Sequence, residues 1–289
     1  VDPRGQQGGA EAEEQTAAGS VQGRELRVDI SRGRPRELPV EGRGNRRRIR
    51  NRVVEAFDER IIEEQRMRLD PGVQQALEEL AECLGKASLD AARCLILTGA
   101  EGHFCAGADL KELEDTVFTD RLGEVLQQLT NLPIPTIAAI SGACMGLGMQ
   151  LAISCDIRCA TEDAYFGVPV AKLGLMITHA TVARLVQVFG SGAARHMLLG
   201  AEVLTAEDGF RYGFVQTLGG LSDAQQLASR IADLAPLSLA GTKLGLNLVD
   251  TLAESPEYTE AFRRAWDSED LTEGRAAFAE RRSPVFRGI

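Results

Sequence analysis

The chain is poor in the residues that usually hold metals and covalent cross-links. Its 289 residues include three histidines and one tryptophan, and its six cysteines form no CxxC pair. Most of the cysteines lie in apolar runs such as ARCLILTG and AISCDIRCA, where cysteine usually acts as a small buried hydrophobic residue. We therefore predict structural cysteines and no metal site. His103 and His196 have no evident partner and are predicted to be structural as well.

Long apolar runs are also lacking. No stretch approaches the roughly 18 uncharged apolar residues that a membrane-spanning helix needs. The opening run VDPRGQQGGAEAEEQ contains no apolar segment of the kind found in secretory signals. These absences predict a cytoplasmic protein with no membrane span.

Basic residues are scarce outside the first quarter of the chain. Residues 1–69 hold 15 arginines and 13 acidic residues, whereas the remainder holds 17 basic and 29 acidic residues, and the net charge is -10. An acidic body argues against nucleic acid as the main partner. Six arginines fall within residues 43–52. We expect this segment to be a solvated stretch, and an anion-binding arm is the alternative.

The composition, 44% hydrophobic and 26% charged, is that of a globular protein. The length of 289 residues predicts one large domain with appendages. Residues 1–65 form an atypical, Arg-rich N-terminal extension that we expect to be partly disordered. Within this extension the alternation of Leu26, Val28 and Ile30 predicts a strand. Apolar residues at helical spacing predict one amphipathic helix over residues 52–68.

Strands and helices alternate through the middle of the chain. RCLILTG and TIAAIS have the pattern of buried strands, and TAED at residues 205–208 predicts a helix that begins with a capping box. The alternation predicts an α/β class with a helical C-terminal section. We place the core at residues 66–230 and the helical section at residues 231–289. A first core helix that ends near Gly85 is predicted from the spacing of Val73, Leu77, Leu80 and Leu84.

Two loops, residues 105–110 and 142–150, combine small residues with the start of a helix. Small residues let another atom approach the backbone closely, and helix starts leave amide N–H groups without an acceptor. Brought together, the two loops could direct two N–H donors at one oxygen, which is an oxyanion hole. The residues alone lead to an anion or oxyanion site, with close packing as the plain alternative.

Longer motifs resemble a known family. The runs LILTGAEGHFCAGADLKEL, IPTIAAISGACMGLGMQLAISCDIRCA and AYFGVPVAKLGL occur in the order and spacing of the enoyl-CoA hydratase/isomerase (crotonase) family. The resemblance covers roughly residues 66–289. It implies an α/β, ClpP/crotonase-like spiral of strand–strand–helix repeats. It also implies a helical C-terminal section that assembles homotrimers or dimers of trimers.

The family resemblance implies an acyl-CoA site used in fatty-acid metabolism. Coenzyme A is part of the ligand, and no separate cofactor or metal is expected. The matching positions give an oxyanion hole from the backbone N–H groups of Ala108 and Leu147. The residues expected to contact coenzyme A are Ala106, Asp109, Leu110, Phe278 and Arg281.

The sequence departs from the family where hydratases carry two glutamates. Those positions hold Gln150 and Val170, and neither side chain exchanges a proton at neutral pH. His179 is the candidate replacement acid or base, and local capping or packing is its plain alternative.

Three functions remain open from the sequence. The chain could be an enzyme with weak hydratase activity or with different thioester chemistry through His179. It could be a non-catalytic acyl-CoA-binding protein that keeps the oxyanion hole. Either could carry an additional anionic partner on residues 43–52.

Overall fold

The computed structural model describes residues 25–31, 65–68, 73–89, 92–100, 102–107, 116–249 and 255–289. The arginine-rich segment, most of the N-terminal extension, and Ala108, Asp109 and Leu110 lie outside these residues. None of the helices in the described segments has both the length and the apolar character that crossing a membrane requires.

Strands and helices alternate as the sequence predicts. In chain order the strands are β1 (Glu25–Ser31), β2 (Gln65–Arg68), β3 (Cys94–Gly99), β4 (Thr136–Ile140), β5 (Ala143–Met145), β6 (Ile157–Ala160), β7 (Tyr165–Gly167), β8 (Leu204–Thr205) and β9 (Thr217–Leu218). The helices are α1 (Val73–Leu89), α2 (Thr116–Asn131), α3 (Leu147–Ser154), α4 (His179–Leu199), α5 (Ala206–Arg211), α6 (Leu221–Ala232), α7 (Pro236–Asn247), α8 (Pro256–Trp266) and α9 (Glu269–Glu280). A 3₁₀ helix spans Val170–Leu173.

The strands form two sheets. The larger has the order β2-β1-β3-β4-β6-β9, with parallel pairing from β3 to β9 and antiparallel pairing at β1 and β2. The smaller has the order β5-β7-β8. Strand β4 joins the larger sheet and β5 the smaller one before α3, and β6 and β7 repeat this division before α4. The chain therefore advances in strand–strand–helix units.

Both faces of the larger sheet are covered, which explains the continuous apolar sequence of β3. Leu95 and Leu97 belong to the main core, together with residues of α1 and α2. Cys94 and Ile96 belong to a second cluster, which includes Ala228 of α6. Side chains alternate across a strand, so a strand buried on both faces needs apolar residues at every position.

The six cysteines all lie in the described segments, are buried, and form no disulfide. Burial raises the pKa of the Cys155 thiol to about 12 and that of Cys144 well above its ordinary value. Thiols held in this state are inert, because the thiolate is the reactive form. Their predicted structural role is confirmed.

The C-terminal helices are joined to the core by a buried ion pair. Lys243 of α7 donates from Nζ to Asp156 Oδ2 at 2.7 Å and to the carbonyl of Ile134 at 2.9 Å. Asp156 also accepts from the backbone N–H and the hydroxyl of Thr136. The lysine side chain is 7% exposed, so the charge is stabilised by these contacts rather than by water.

Several sequence predictions are confirmed and two are wrong. Strand β1 and the capping box at the start of α5 are present as predicted. The helix predicted over residues 52–68 is wrong at its end, because residues 65–68 form β2 and pair antiparallel with β1. Helix α1 continues to Leu89 rather than ending near Gly85. Gly85 is exposed within the helix, where glycine weakens a helix without ending it.

Candidate active site

The two glycine-bearing loops meet at the edge of the smaller sheet. Cys105 and Cys144 form a parallel bridge. The N–H of Cys105 donates to the carbonyl of Ala143 at 2.9 Å, and the N–H of Met145 donates to the carbonyl of Cys105 at 2.8 Å. The start of the first loop therefore lies directly beside the second. An oxyanion hole built from both loops requires this arrangement.

His103 helps to fix the second loop. Its Nδ1 accepts a hydrogen bond from the backbone N–H of Ala143 at 3.0 Å. Gly142 has φ +50, and a Cβ at this position would collide with the His103 ring and the Gly102 carbonyl. Sequence reasoning gave His103 a structural role without a partner, and its partner is a backbone amide 40 residues away.

Leu147 lies in the second loop and is the first residue of α3. Its N–H is one of the amides that have no acceptor within the helix, and no side chain caps this end. Gly146, the preceding residue, has φ 53 and ψ -108, a conformation that favours glycine. A Cβ at Gly148 would run into the carbonyl of Cys105. Gly146 therefore allows the backbone to turn into α3, and Gly148 allows the start of α3 to pack closely against the first loop.

A cavity of ≈ 360 Å³ opens beside the start of α3. Its walls come from α2, the two loops, the 3₁₀ helix and the segment that leads to α4. The apolar side chains of the wall are Ala106, Phe118, Leu122, Leu126, Met145, Leu147, Pro169, Val170, Leu173, Leu175, Met176 and Ile177. The polar side chains are those of Thr119, Gln150, Thr178 and Thr181. An apolar pocket with few polar groups suits a hydrocarbon chain attached to a polar head.

Gln150 and Val170 both line this cavity and both are half-buried. Gln150 follows Leu147 by three residues, so the two share one face of α3. The hydroxyl of Thr181 donates to Oε1 of Gln150 at 3.1 Å. Val170 begins the 3₁₀ helix and packs against the main core.

The described lining of the cavity contains no side chain that titrates. His179 is the first residue of α4, is exposed, and lies outside the lining. Its neighbour Thr178 is the N-cap of α4 and accepts from the N–H of Thr181. The structure therefore does not bring the candidate acid or base to the cavity. Among the described residues, no group of three or more histidine, cysteine, aspartate or glutamate side chains could hold a metal.

The residues predicted to contact coenzyme A do not all lie at the cavity. Ala106 lines the cavity, and its neighbours Asp109 and Leu110 lie outside the described residues, as does Ala108. Phe278 is 89% exposed on α9, and Arg281 is the exposed C-cap of the same helix. Neither belongs to the cavity of its own chain.

Sequence reasoning missed the residues that complete the cavity. Thr181 holds Gln150 from α4, and Phe118 and Leu122 close the cavity from α2. The apolar spacing on α2 predicts a buried face but not which neighbour it covers. Thr178 signals the start of α4, yet nothing local predicts that Thr181, three residues later, contacts a glutamine on α3.

The sequence matches the enoyl-CoA hydratase/isomerase family over residues 73–288. The chain belongs to this family. The crotonase-like α/β fold expected from the sequence is confirmed by solved structures of family members. A structure of an enoyl-CoA hydratase/carnithine racemase from Magnetospirillum magneticum superposes with a TM-score of 0.70 at 29% identity, covering 74% of this chain and 86% of that one. An enoyl-CoA hydratase from Bacillus anthracis gives a TM-score of 0.68 at 29% identity, covering 75% and 90%.

Curated relatives carry related names. A protein of Mycobacterium tuberculosis named "Probable enoyl-CoA hydratase echA6" is 41% identical over 216 residues, which is 74% of this chain and 89% of the relative. A "Probable enoyl-CoA hydratase" of Bacillus subtilis is 32% identical over 235 residues, covering 73% and 88%. The family binds acyl-CoA thioesters, and the cavity described above lies within the matched region.

Proposed function

We propose that this protein binds acyl-CoA thioesters in fatty-acid metabolism and hydrates enoyl-CoA weakly or not at all. The thioester carbonyl is held by the backbone N–H groups of Ala108 and Leu147, and the acyl chain occupies the apolar cavity. The proposal rests on the composition of the cavity wall. The wall includes the uncapped start of α3, and its described side chains include none that can exchange a proton.

Hydration of an enoyl thioester needs a base that activates water and an acid that delivers a proton to the α-carbon. An amide at Gln150 and an isopropyl group at Val170 supply neither. Each general acid or base contributes about 10²–10⁴ in rate, so losing both removes most of the turnover. The oxygen of Gln150 is moreover already used as the acceptor for Thr181. Binding can therefore persist where hydration does not.

The two alternatives to weak hydration have different structural requirements. A non-catalytic acyl-CoA-binding protein needs only the cavity and the carbonyl donors. Different thioester chemistry through His179 needs that side chain at the ligand, and His179 is exposed outside the cavity. The position of His179 favours the non-catalytic function.

The proposed assembly is a homotrimer or a dimer of trimers. Phe278 and Arg281 are exposed on α9 and are therefore available to a second copy of the chain. In this arrangement they contact the coenzyme A bound by a neighbouring subunit.

Calorimetric titration of the full chain with butyryl-CoA tests the binding proposal. We expect saturable binding, and we expect Val170→Trp to weaken it at least about tenfold by filling the cavity. The matched control is Val186→Trp, because Val186 is 39% exposed on α4 and lies outside the lining. Absence of binding by the parent protein, or equal binding by V170W, would show that the cavity is not the acyl site.

A further inference from the structure

The last turn of α3 is held by two arginine side chains. Nη1 of Arg158 donates to the carbonyls of Ala152 at 3.2 Å and Cys155 at 2.8 Å. Nε of Arg184, on α4, donates to the carbonyl of Ile153 at 3.0 Å. Carbonyls at the C-terminus of a helix have no N–H donor within the helix. Because guanidinium groups supply the donors here, positive charge lies at the negative end of α3.

Arg158 is a buried cation that donates to neutral oxygens. The residue is 4% exposed. Nε donates to the carbonyl of Phe214 at 2.6 Å, and Nη2 donates to the carbonyl of Asp156 at 3.1 Å and to Oε1 of Gln216 at 3.2 Å. Together with the two bonds to the last turn of α3, these contacts use all five donors of the guanidinium group. Burial, with a smaller contribution from the charge of Arg184, lowers the pKa of Arg158 to about 10, so the group stays charged at neutral pH.

The other charged groups at this end of α3 leave the positive charge uncancelled. Asp156 follows the helix closely, and its carboxylate is bound by Nζ of Lys243 at 2.7 Å. Nη1 of Arg184 donates to Oε1 of Gln187, a neutral oxygen. The two arginines and the lysine outweigh the single carboxylate of Asp156, so this group of residues has a net positive charge.

Charges at the C-terminus of α3 act on its N-terminus, because the helix is short and enclosed. Its 8 residues span about 12 Å, and all of them except Gln150 are buried. Water therefore screens little of the interaction along the helix. With an effective dielectric constant of about 20, one charge about 15 Å from an ionising oxygen changes the ionisation constant roughly three- to tenfold. The N–H of Leu147 lies at the N-terminus of α3, where the proposed site holds the thioester carbonyl.

We propose that Arg158 and Arg184 are positioning residues that strengthen the oxyanion hole from the far end of α3. They touch no ligand. They hold the last turn of the helix and add their charge to the positive pole at Leu147. Negative charge on the thioester oxygen is therefore stabilised more than the neutral carbonyl is. The inference rests on the proposed thioester site.

Acetoacetyl-CoA is the probe for this inference. It loses its C2 proton to water and becomes an enolate, which has its own ultraviolet absorbance. With the full chain in excess, a pH titration of this absorbance gives the ionisation constant of the bound ligand. We expect this constant to exceed that of the free ligand. Arg158→Gln should lower it roughly three- to tenfold, and Arg184→Gln roughly two- to threefold, because Arg184 is half-buried and water screens it in part.

Lysine variants separate the charge from the hydrogen bonds. Arg158→Lys and Arg184→Lys keep the charge with fewer donors, so the ionisation constant should stay close to that of the parent. The matched control is Arg195→Gln, because Arg195 is exposed on α4 and donates to Ser191 of the same helix. It should leave the constant unchanged. A merely structural role would weaken the binding of coenzyme A and acetoacetyl-CoA alike and would not move the ionisation constant of the bound ligand.

The outcomes separate this inference from the proposed function. If acetoacetyl-CoA does not bind the parent protein, both fail together. If it binds but ionises no more readily than in water, the thioester site stands and the inference is refuted. An unchanged constant in the glutamine variants also refutes it, and an equal fall in the lysine and glutamine variants overturns the role of charge. If R158Q does not fold, the comparison of R184Q with R184K decides between these results.

Discussion

Restoring both missing carboxylates should convert this binding site into a hydratase. The perturbation is the double substitution Gln150→Glu and Val170→Glu. At position 150 the change replaces an amide by a carboxylate of nearly the same size, and the Thr181 hydroxyl, 3.1 Å away, can donate to it without rearrangement. At position 170 the new carboxyl enters a half-buried, apolar wall. Such surroundings raise the pKa of a carboxyl and favour the protonated form that an acid needs.

The expected gain in hydration rate follows from the number of acid and base groups that must act. General acid–base catalysis contributes about 10²–10⁴ for each positioned group. Hydration uses the two groups together, so we expect each single variant to gain less than about tenfold and the double variant to gain at least about 10². An unpaired glutamate at position 170 also costs stability, and a melting temperature measured in parallel shows how much.

The assay follows the loss of absorbance of the conjugated thioester in crotonyl-CoA. The matched control is the double substitution Gln75→Glu and Val186→Glu, which adds the same charges at exposed positions outside the cavity. Q150E/V170E that binds crotonyl-CoA but hydrates it no faster than the parent would refute the reasoning. The limit would then be the geometry of the site rather than the absent carboxylates.

Three further predictions concern stability. Lys243→Met should lower the free energy of unfolding by about 3 kcal/mol in denaturant titrations, because it leaves the carboxylate of Asp156 without its buried partner; a loss below about 0.5 kcal/mol would contradict this. Hydrogen bonds from Arg282 hold the pKa of Glu273 at about 2, so their stabilising effect is complete above its ordinary value of 4.5 and is lost as the pH falls through about 2. The melting temperature of Glu273→Gln should therefore lie below that of the parent at pH 6, and the difference should shrink steadily as the pH is lowered from 4.5 toward 2; a constant difference would be inconsistent. Phe214→Ala should cost about 3–5 kcal/mol, because it removes a fully buried ring that stacks in the core.

Much of the fold could be predicted because local signals and tertiary structure agree. Strands β3 and β4 are apolar at nearly every position, and both are covered on both faces of the larger sheet. The capping box at Thr205 needs only four consecutive residues and is present as predicted. The helix predicted over residues 52–68 is wrong at residues 65–68. The apolar spacing before residue 65 does not determine the conformation of residues 65–68 (QRMR). These residues form a strand because they pair with β1.

The candidate site could be predicted only in outline. The two loops carry their own signal, namely small residues before a helix, and the structure brings their ends together at Cys105 and Cys144. The contact between Gln150 and Thr181 joins residues 31 apart on different helices, and no local pattern encodes it. The exposed position of His179 likewise depends on how α4 is placed against the cavity. Long-range contacts of this kind decide the chemistry of a site more than its motifs do.

The most direct test of the central claim is a hydration assay under conditions of saturation. The unmodified protein is first titrated with crotonyl-CoA, and the absorbance of the conjugated thioester is then followed with protein in excess of the measured Kd. Binding with conversion slower than about 10⁻² s⁻¹ is the predicted result, far below the roughly 10 s⁻¹ typical of enzymes. Saturable binding with turnover at an ordinary enzymatic rate would contradict the claim, because another group would then be acting as the acid and base.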